Sequence, residues 1–183
     1  DLCCGNGRHS RAFQKAGLAV TGMDLSADLL CAARKKAAAR GNPPLVYIQA
    51  DMRRIPISAS SMDAVLNLFT SFGYFSSERD NARVLEEVSR VLKPGATFVM
   101  DYLNLKPTLN GLVAESEKCI GTLRLREQRR YDSRSKRIIK RVEALNVKGG
   151  PIIRESVRAY SPAELKAMFK RASLNVSALY GDL

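Results

Sequence analysis

The chain opens on Asp1-Leu2-Cys3-Cys4-Gly5-Asn6-Gly7, and this stretch decides its fold class. The pattern is that of a strand end running into a glycine-containing turn, with a helix over 8–16 behind it. Glycines allow the tight turn and let a ligand lie against the main chain. The next predicted strand, 18–24, ends in Asp24, which follows Gly5 by 19 residues. In a doubly wound sheet this carboxylate lies beside the glycine turn, where it can accept hydrogen bonds from both hydroxyls of a ribose.

Strand and helix patterns alternate through the first half of the chain. The predicted elements are strands at 45–50, 62–68 and 96–103, a helix that begins after Ser26 and stops at Gly41 and Pro43, and a helix at 78–92. Ser26 caps the first of these helices, and Lys93-Pro94-Gly95 ends the second. The apolar face of the first helix comprises Leu29, Leu30, Ala33 and Ala37, and its stop signals are Gly41 and Pro43. This alternation requires right-handed crossovers and predicts a parallel sheet covered on both faces.

The second half of the chain has a different pattern. Alternating polar and apolar residues over 118–160, with turn signals at 132–133 and 149–151, predict antiparallel strands. Ser161-Pro162-Ala163-Glu164 then forms a capping box with proline at the first helical position. A last strand is predicted over 174–180. The apolar stripe of the intervening helix comprises Leu165, Met168, Phe169 and Ala172.

Composition limits the classes of protein to consider. The 183 residues are 45% hydrophobic and 26% charged, as in an ordinary globular domain, and the net charge is +12. No apolar run approaches the roughly 20 residues of a membrane span, and no signal peptide is evident. The four cysteines lack metal-ligand spacing and His9 is the one histidine, so we expect no metal site, reduced thiols and a cytoplasmic location. Because Asp1 falls inside a motif, we expect the N-terminus to be missing.

The motifs together resemble those of class I S-adenosylmethionine-dependent methyltransferases. The opening D-L-C-C-G-N-G-R-H-S is similar to the family's first motif, usually D/E-x-G-x-G-x-G, and its D-L-C-C-G-x-G-R-H form resembles a bacterial subgroup of the small-molecule branch. Later landmarks follow in family order: V-T-G-M-D-L-S, Q-A-D-M-R, M-D-A-V-L-N-L-F-T-S-F-G-Y-F, L-E-E-V-S-R-V-L-K-P-G and Y-S-P-A-E-L-K-A-M-F.

The resemblance implies a Rossmann-like α/β fold, a doubly wound and mostly parallel sheet with inserted antiparallel strands. Its strand order in the family is 3-2-1-4-5-7-6. We expect the fold to be incomplete at both ends, because strand one is present only as its last residues and no segment is a candidate for strand seven. Within one methyltransferase domain over 1–183, residues 1–104 would form the cofactor-binding core, 105–160 the inserted strands on a possible substrate side, and 161–183 the last helix and strand six.

The resemblance also implies the cofactor, S-adenosylmethionine, with S-adenosylhomocysteine as its product. Asp24 would hold the ribose hydroxyls, Asp51 would accept from the adenine amino group, and Met52 would pack on the ring. The segment 67–72 would lie under the sulfonium. Cys3 stands where the commoner motif has its first glycine, which requires a backbone angle that a cysteine can adopt. The implied cofactor-binding residues are Asp1, Cys3, Gly5, Asn6, Gly7, Asp24, Leu25, Asp51, Met52, Asn67, Leu68 and Phe69.

The chemistry of methyl transfer agrees with these motifs. The chain lacks the phosphate-cradling G-x-x-x-x-G-K-[ST] loop, and S-adenosylmethionine has no phosphate. Methyl transfer is an in-line displacement in which positioning supplies most of the rate, and a general base is needed only for protonated acceptors. Tyr74 is a weak candidate for orienting an acceptor. The alternative is an aromatic wall comprising Tyr74, Phe69, Phe72 and Phe75. Arg8 and His9 are weak candidates for contacts with the cofactor or substrate.

The leading hypothesis is therefore methyl transfer to an N, O or C nucleophile of a small molecule. An RNA methyltransferase is the alternative, because 124–141 holds nine Lys or Arg in 18 residues. A solvated face of a hairpin also explains this stretch. Two further alternatives are a protein that binds S-adenosylmethionine without chemistry and a nicotinamide-dependent dehydrogenase. The acceptor and the oligomeric state cannot be inferred from the sequence, and no membrane partner is expected.

Overall fold

The structure is a computed structural model that describes residues 1–37, 44–147, 149–150 and 152–181. The helices are α1 (Arg8–Lys15), α2 (Ala27–Lys36), α3 (Glu78–Val91), α4 (Leu105–Asn110) and α5 (Pro162–Arg171). The strands are β1 (Val20–Asp24), β2 (Leu45–Gln49), β3 (Met62–Asn67), β4 (Leu92–Met100), β5 (Glu115–Ile120), β6 (Leu123–Asp132), β7 (Arg137–Ala144) and β8 (Ile152–Arg158). The stop signals predicted at Gly41 and Pro43 lie outside the described residues, as does Pro151 of the second predicted turn.

A short extended segment at the start of the chain joins two parallel strand pairs. β1 pairs with β2, and β3 pairs with β4. Leu2 lies between them and forms parallel bridges to Met23 on one side and Asn67 on the other. Its amide donates to the Leu66 carbonyl at 2.7 Å. The resulting order, β2-β1-Leu2-β3-β4, is the predicted 3-2-1-4-5 part of a Rossmann-like sheet.

The helices bury the faces that their periodicity predicts, with one exception. In α3, the side chains of Val84, Leu85, Val88 and Val91 are each at most 1% exposed. In α2, whose N-cap Ser26 accepts from the Leu29 amide, Leu30 and Ala33 are fully buried. Leu29 is 43% exposed, so its predicted place on the apolar face was wrong. Successive helical residues are rotated by about 100°, and with Leu30 at the centre of the buried face Leu29 points to its edge.

Three elements differ from the prediction. β4 begins at Leu92 rather than at 96 and takes in Lys93-Pro94-Gly95, where its register with β3 shifts. The shift accommodates a proline that has no amide to donate. The short helix α4 was not predicted. Residues 174–180 were predicted to form a strand, but within the described ranges they are irregular and pair with no strand. Because a strand is defined by its pairing partner, its residue pattern alone does not produce one.

The antiparallel strands form a separate sheet in the order β5-β6-β7-β8. The predicted turn after Asp132 is confirmed, and Asp132 Oδ1 accepts there from the Arg134 amide at 3.0 Å. The β5–β6 turn at Gly121 was not predicted. Edge strand β8 joins the rest of the molecule, because the Arg158 amide donates to the Gly73 carbonyl at 2.8 Å.

A buried arginine connects this sheet to two helices. Arg158 is 8% exposed, and its guanidinium contacts Glu78 of α3 at 2.8 Å and Glu164 of α5 at 2.9 Å. Tyr160 Oη donates to the second Glu78 oxygen at 2.5 Å. The predicted capping box of Ser161 and Glu164 is confirmed. The Ser161 amide, aided by Arg158, lowers the pKa of Glu164 to about 2. Only the guanidinium of this network is buried, since the Glu78 side chain is 60% exposed and that of Glu164 34%.

Tyr47 of β2 packs across two glycines. A Cβ at Gly22 would lie 2.7 Å from the Tyr47 ring carbons, and one at Gly7 would overlap its hydroxyl. Tyr47 is 8% exposed and is packed against Cys4, Leu30 and Ala33. The close approach of strand β1, the glycine turn and this ring therefore depends on the absence of side chains at Gly7 and Gly22.

Gly22→Ala should destabilise the fold by about 1–3 kcal/mol, because the added methyl group forces the buried Tyr47 ring to move. The measurement is the free energy of unfolding in urea. Gly181→Ala is the matched control, since a Cβ there meets no atom within 4 Å. Equal stability of the two variants would contradict the packing described for Tyr47.

Candidate functional site

Asp24 connects the glycine turn to the start of α2. Its Oδ2 accepts from the Gly5 amide at 2.8 Å and its Oδ1 from the Ser26 amide at 2.9 Å. Gly5 and Gly7 have left-handed backbones, with φ of 56° and 74°, which glycine adopts without strain. Each carboxylate oxygen has a second lone pair, so Asp24 can still accept from a ligand hydroxyl while it holds the turn.

Cys3 adopts the left-handed backbone angle that the usual glycine would have. Its φ is 61°, a conformation that costs a cysteine more than a glycine. The thiol donates to Met52 Sδ at 3.5 Å, so two predicted cofactor-binding residues are in contact. Burial, and secondly the Asp24 charge, raise the pKa of the Cys3 thiol to about 12. The thiol is therefore neutral and packs in the site as an apolar group.

Asp51 already has a cationic partner. Arg53 holds its carboxylate with Nη2 at 2.6 Å and Nε at 3.1 Å from Oδ2, and the Arg53 amide donates to Oδ1 at 2.8 Å. These hydrogen bonds lower the pKa of Asp51. The guanidinium also contacts Asp80 at 3.2 Å and lies 4.4 Å from the centre of the Phe75 ring. An adenine amino group at Asp51 would have to share the carboxylate with Arg53, a partner that sequence analysis did not identify.

The segment after β3 turns sharply at the same edge of the sheet. Phe69 and Thr70 have φ of 60° and 51°, and Asp101 holds both of their amides, with its Oδ2 2.9 Å from the Phe69 nitrogen. Such angles in two successive non-glycine residues concentrate backbone strain here. Phe69 is 75% exposed, and the Arg8 guanidinium lies 5.2 Å from its ring centre. Leu68 is half-buried.

Asn67 lies beneath the glycine turn rather than on its surface. It is 1% exposed, and its Nδ2 donates to the Leu2 carbonyl at 3.3 Å. Asp1 also contributes to local structure, because its Oδ2 accepts from Ser10 Oγ at 2.6 Å. By contrast, Asn6 is exposed and Leu25 is 66% exposed, so both are open to a ligand.

Tyr74 lies between the glycine turn and the antiparallel sheet. It is 46% exposed, and burial raises the pKa of its phenol, with smaller contributions from Glu155 and Cys3. Arg137 holds the Tyr74 loop by donating to the Tyr74 carbonyl at 3.2 Å and the Ser156 carbonyl at 2.7 Å. The predicted aromatic wall was wrong for one member: Phe72 is 1% exposed and packs in the core against Tyr102 and Tyr160.

The structure therefore brings the predicted residues to one edge of the parallel sheet. Direct contacts join Gly5 to Asp24 and Cys3 to Met52. Leu2 connects this turn to the end of β3. Arg53, Asp101 and Glu155 were not among the predicted residues. Arg53 binds Asp51 and Asp101 binds Phe69, both predicted site residues. The strand alternation of β8 was the one signal that could have indicated Glu155.

Comparisons with known proteins agree with this geometry. The model of a family described as a methyltransferase domain matches residues 1–95. YqeM of Bacillus subtilis (strain 168), a provisionally named methyltransferase, is 35% identical over 101 residues, which are 55% of this chain and 40% of that protein. The 2-phytyl-1,4-naphtoquinone methyltransferase of Nostoc punctiforme is 34% identical over 109 residues, 56% of this chain and 45% of that protein. The chain thus spans less than half the length of these two relatives.

The fold is also that of a solved methyltransferase. The crystal structure of an S-adenosylmethionine-dependent methyltransferase from Clostridium acetobutylicum superimposes with a TM-score of 0.82 at 18% identity. The superposition covers 97% of this chain and 73% of that one. At this level of identity the likeness shows a shared Rossmann-like fold.

Arg53→Gln should raise the pKa of Asp51 toward its ordinary value of 3.8, because the charged hydrogen bonds that favour the carboxylate are lost. The stabilisation from this pair is present above pH 3.8 and is lost as the pH falls through the lowered folded-state pKa. The measurement is a carbon-13 carboxyl titration by NMR. Arg54→Gln is the control, since Arg54 is the exposed neighbour. An unchanged Asp51 titration in Arg53→Gln would show that the pair does not persist in solution.

Proposed function

Because the chain belongs to the family described as a methyltransferase domain, we propose that it binds S-adenosylmethionine and methylates a small molecule. The methyl group would pass to an N, O or C nucleophile by in-line displacement. The observation that carries the proposal is the Asp24 carboxylate, held between the Gly5 and Ser26 amides at the carboxyl edge of the sheet. Parallel sheets of this topology bind ligands at that edge.

The residues of the edge fit the proposed cofactor. Asp24 would accept from the ribose hydroxyls, and the left-handed turn at Gly5, where a Cβ would meet nothing within 4 Å, is open to the methionine portion. Met52 would pack on the adenine, and Asp51 would accept from the adenine amino group while it shares its charge with Arg53. When bound, S-adenosylmethionine supplies an electrophilic methyl group on a sulfonium that becomes neutral on transfer.

The roles of the remaining predicted residues are proposed from their exposure. Leu25, Asn6 and Phe69 are exposed and would contact the cofactor directly. The buried Asn67 and the Ser10-bonded Asp1 would act through the main chain they hold in place. Leu68 and Cys3 would pack against the cofactor as apolar groups. Tyr74 stands where an acceptor would approach and would orient it.

The small-molecule acceptor is supported by a relative. One relative matched over 56% of this chain is named for a naphthoquinone substrate. The segment 1–104 would form the cofactor-binding core, 105–160 the acceptor side, and 161–183 a closing helix with its following segment. No helix of the described residues is long and apolar enough to cross a membrane. A cytoplasmic location remains a prediction.

The contacts of the basic stretch 124–141 weaken the RNA alternative. Six of its nine basic side chains are ion-paired with carboxylates: Arg124, Arg126, Arg129, Lys136, Lys140 and Arg141. Arg137 donates to carbonyl oxygens of the Tyr74 loop. Binding an extended RNA backbone requires many cations to be free of protein partners at once, and most of these are paired. Arg130 and Arg134, which are exposed, remain as candidates for such contacts.

Asp24→Ala should weaken binding of S-adenosylhomocysteine by about 1–3 kcal/mol, because charge-assisted hydrogen bonds to the ribose are lost. The measurement is isothermal titration calorimetry. Asp28→Ala removes the same charge from an exposed position four residues away and should leave the affinity unchanged. Equal affinity of Asp24→Ala and the parent protein would remove Asp24 from the site, and tight binding of NAD in place of S-adenosylhomocysteine would favour a dehydrogenase.

RNA binding, if present, should be weak and non-specific and should fall steeply with salt, since neutralised phosphates release counterions. Arg130→Gln with Arg134→Gln should reduce it further, while methylation of small acceptors is unchanged. The measurement is RNA retention and radiolabelled methyl transfer at two salt concentrations. Sequence-selective RNA methylation that this double variant abolishes would reverse the ranking of the two acceptor classes.

S-adenosylhomocysteine binding without transfer to any acceptor would favour a binding-only protein.

A further inference from the structure

The antiparallel sheet has two chemically different faces. Because side chains alternate along a strand, the cross-strand partners in register share a face. One face is named here the Glu127 face. Its polar side chains are Ser116, Lys118, Glu127, Arg129, Lys140 and Glu155, and apolar residues such as Leu125 and Val142 point the same way. The opposite face carries Arg124, Arg126, Arg137 and Arg141. Two groups of cations in the basic stretch therefore point in opposite directions.

Three cations crowd one buried carboxylate on the Glu127 face. Glu127 is 4% exposed and is contacted by Lys118 Nζ and Arg129 Nη2. Lys140 Nζ lies 3.5 Å from Glu127 Oε1 and 3.6 Å from Glu155 Oε2. The hydrogen bond from Lys118 and the other two charges lower the pKa of Glu127, so it stays ionised. Three positive charges face two negative ones, which leaves an excess of one positive charge.

A wide, open surface cavity adjoins this cluster. Its volume is about 430 Å³, and it lies between the α4 region and the Glu127 face. Pro107, Leu112 and Val113 form its apolar side, and Ser116 and Arg129 form its polar side. Arg129 Nη1 donates to Ser116 Oγ at 3.0 Å, which orients the guanidinium at the cavity wall. An apolar cavity with one oriented cation suits a small molecule that has one charged end.

The same face leads from the cavity to the proposed methyl-transfer site. Arg129, Lys140 and Glu155 are cross-strand partners on β6, β7 and β8. Neighbouring strands are about 4.8 Å apart, so this row spans roughly 10 Å. Glu155 ends the row, and its charge contributes to raising the pKa of the Tyr74 phenol after the larger effect of burial. The Tyr74 loop is hydrogen-bonded to the edge of β8 through Gly73. A molecule of ordinary metabolite size can therefore reach from Arg129 to the proposed acceptor position at Tyr74.

We propose that the Glu127 face binds the acceptor and that the acceptor carries an oxyanion, held by Arg129 at the cavity and by its cross-strand neighbour Lys140, while its nucleophile points toward Tyr74. The inference rests on the proposed function, since it names the substrate class of that site. Carboxylates and phosphates share the required chemistry, because both accept charge-assisted hydrogen bonds from guanidinium and ammonium groups. The excess cation of the cluster is then balanced by the substrate.

The test titrates the protein calorimetrically with inorganic pyrophosphate and, in a separate arm, with succinate, each with and without S-adenosylhomocysteine and at fixed ionic strength. We expect one of the two probes to bind, which identifies a phosphate or a carboxylate as the recognised group. Lys140→Gln should weaken that probe about tenfold through lost charge-assisted hydrogen bonds. Lys118→Gln should weaken it as well, because the cluster loses its excess positive charge. The Lys118 side chain is 47% exposed and that of Lys140 is 26% exposed, so urea unfolding of each variant checks that the fold is retained.

Arg126→Gln is the matched control, because it removes the same charge from the opposite face, where Arg126 pairs with Glu115 and Glu117. It should change the affinity by less than about twofold. The inference is overturned if neither probe binds, or if Arg126→Gln weakens binding as much as Lys140→Gln, which would indicate unspecific attraction by net charge. Absence of S-adenosylhomocysteine binding alongside normal oxyanion binding would instead contradict the proposed function alone.

Discussion

The main-chain hydrogen bonds of the first residues hold the two halves of the parallel sheet together. The Leu2 amide donates to Leu66, and the Cys4 amide donates to Met23 at 2.9 Å. Without these bonds, β1 with β2 and β3 with β4 would be separate pairs. Because Leu2 runs directly into Cys3 and Gly5, the same pairing places the glycine turn beside the ends of both β1 and β3. The position of Asp24 relative to Phe69 therefore follows from backbone pairing.

A second constraint is electrostatic and couples the antiparallel sheet to this edge. Arg158 has its charge neutralised by Glu78 and Glu164, and the Tyr102 hydroxyl contacts its carbonyl. A buried charge is tolerated because each of its donors finds an acceptor. The network draws β8 against α3 and α5, and the Gly73 contact places the Tyr74 loop alongside β8.

Sequence patterns predicted the features that depend on local chemistry. The capping box at Ser161, the N-cap at Ser26, the apolar stripe of α3 and the glycine turn are each encoded within a few residues. The left-handed angle at Cys3, which costs a cysteine more than a glycine, was not predicted. The parallel strand order was predicted by family resemblance, and the bridges of Leu2 confirm the part of it that the described residues contain.

The errors concern features that depend on distant partners. The segment 174–180 has a strand-like pattern but no pairing strand among the described residues, and β4 starts early because its register with β3 shifts. Arg53 beside Asp51 was missed because an ion pair depends on which side chains converge. Phe72 was placed on a pocket wall although it packs between Tyr102 and Tyr160 of the core. In each case the outcome depends on which residues are in contact in the folded chain, and a local sequence pattern does not contain that information.

The most direct test of the central claim, that the carboxyl edge of the parallel sheet binds S-adenosylmethionine, maps the site residue by residue. The measurement is the set of backbone amide shifts of the nitrogen-15-labelled protein as S-adenosylhomocysteine is added. We expect the largest shift changes on residues 3–7, 24–26, 51–53 and 67–70, with smaller ones at Tyr74. Changes confined to β6 and β7, or no changes at saturating ligand, would contradict it.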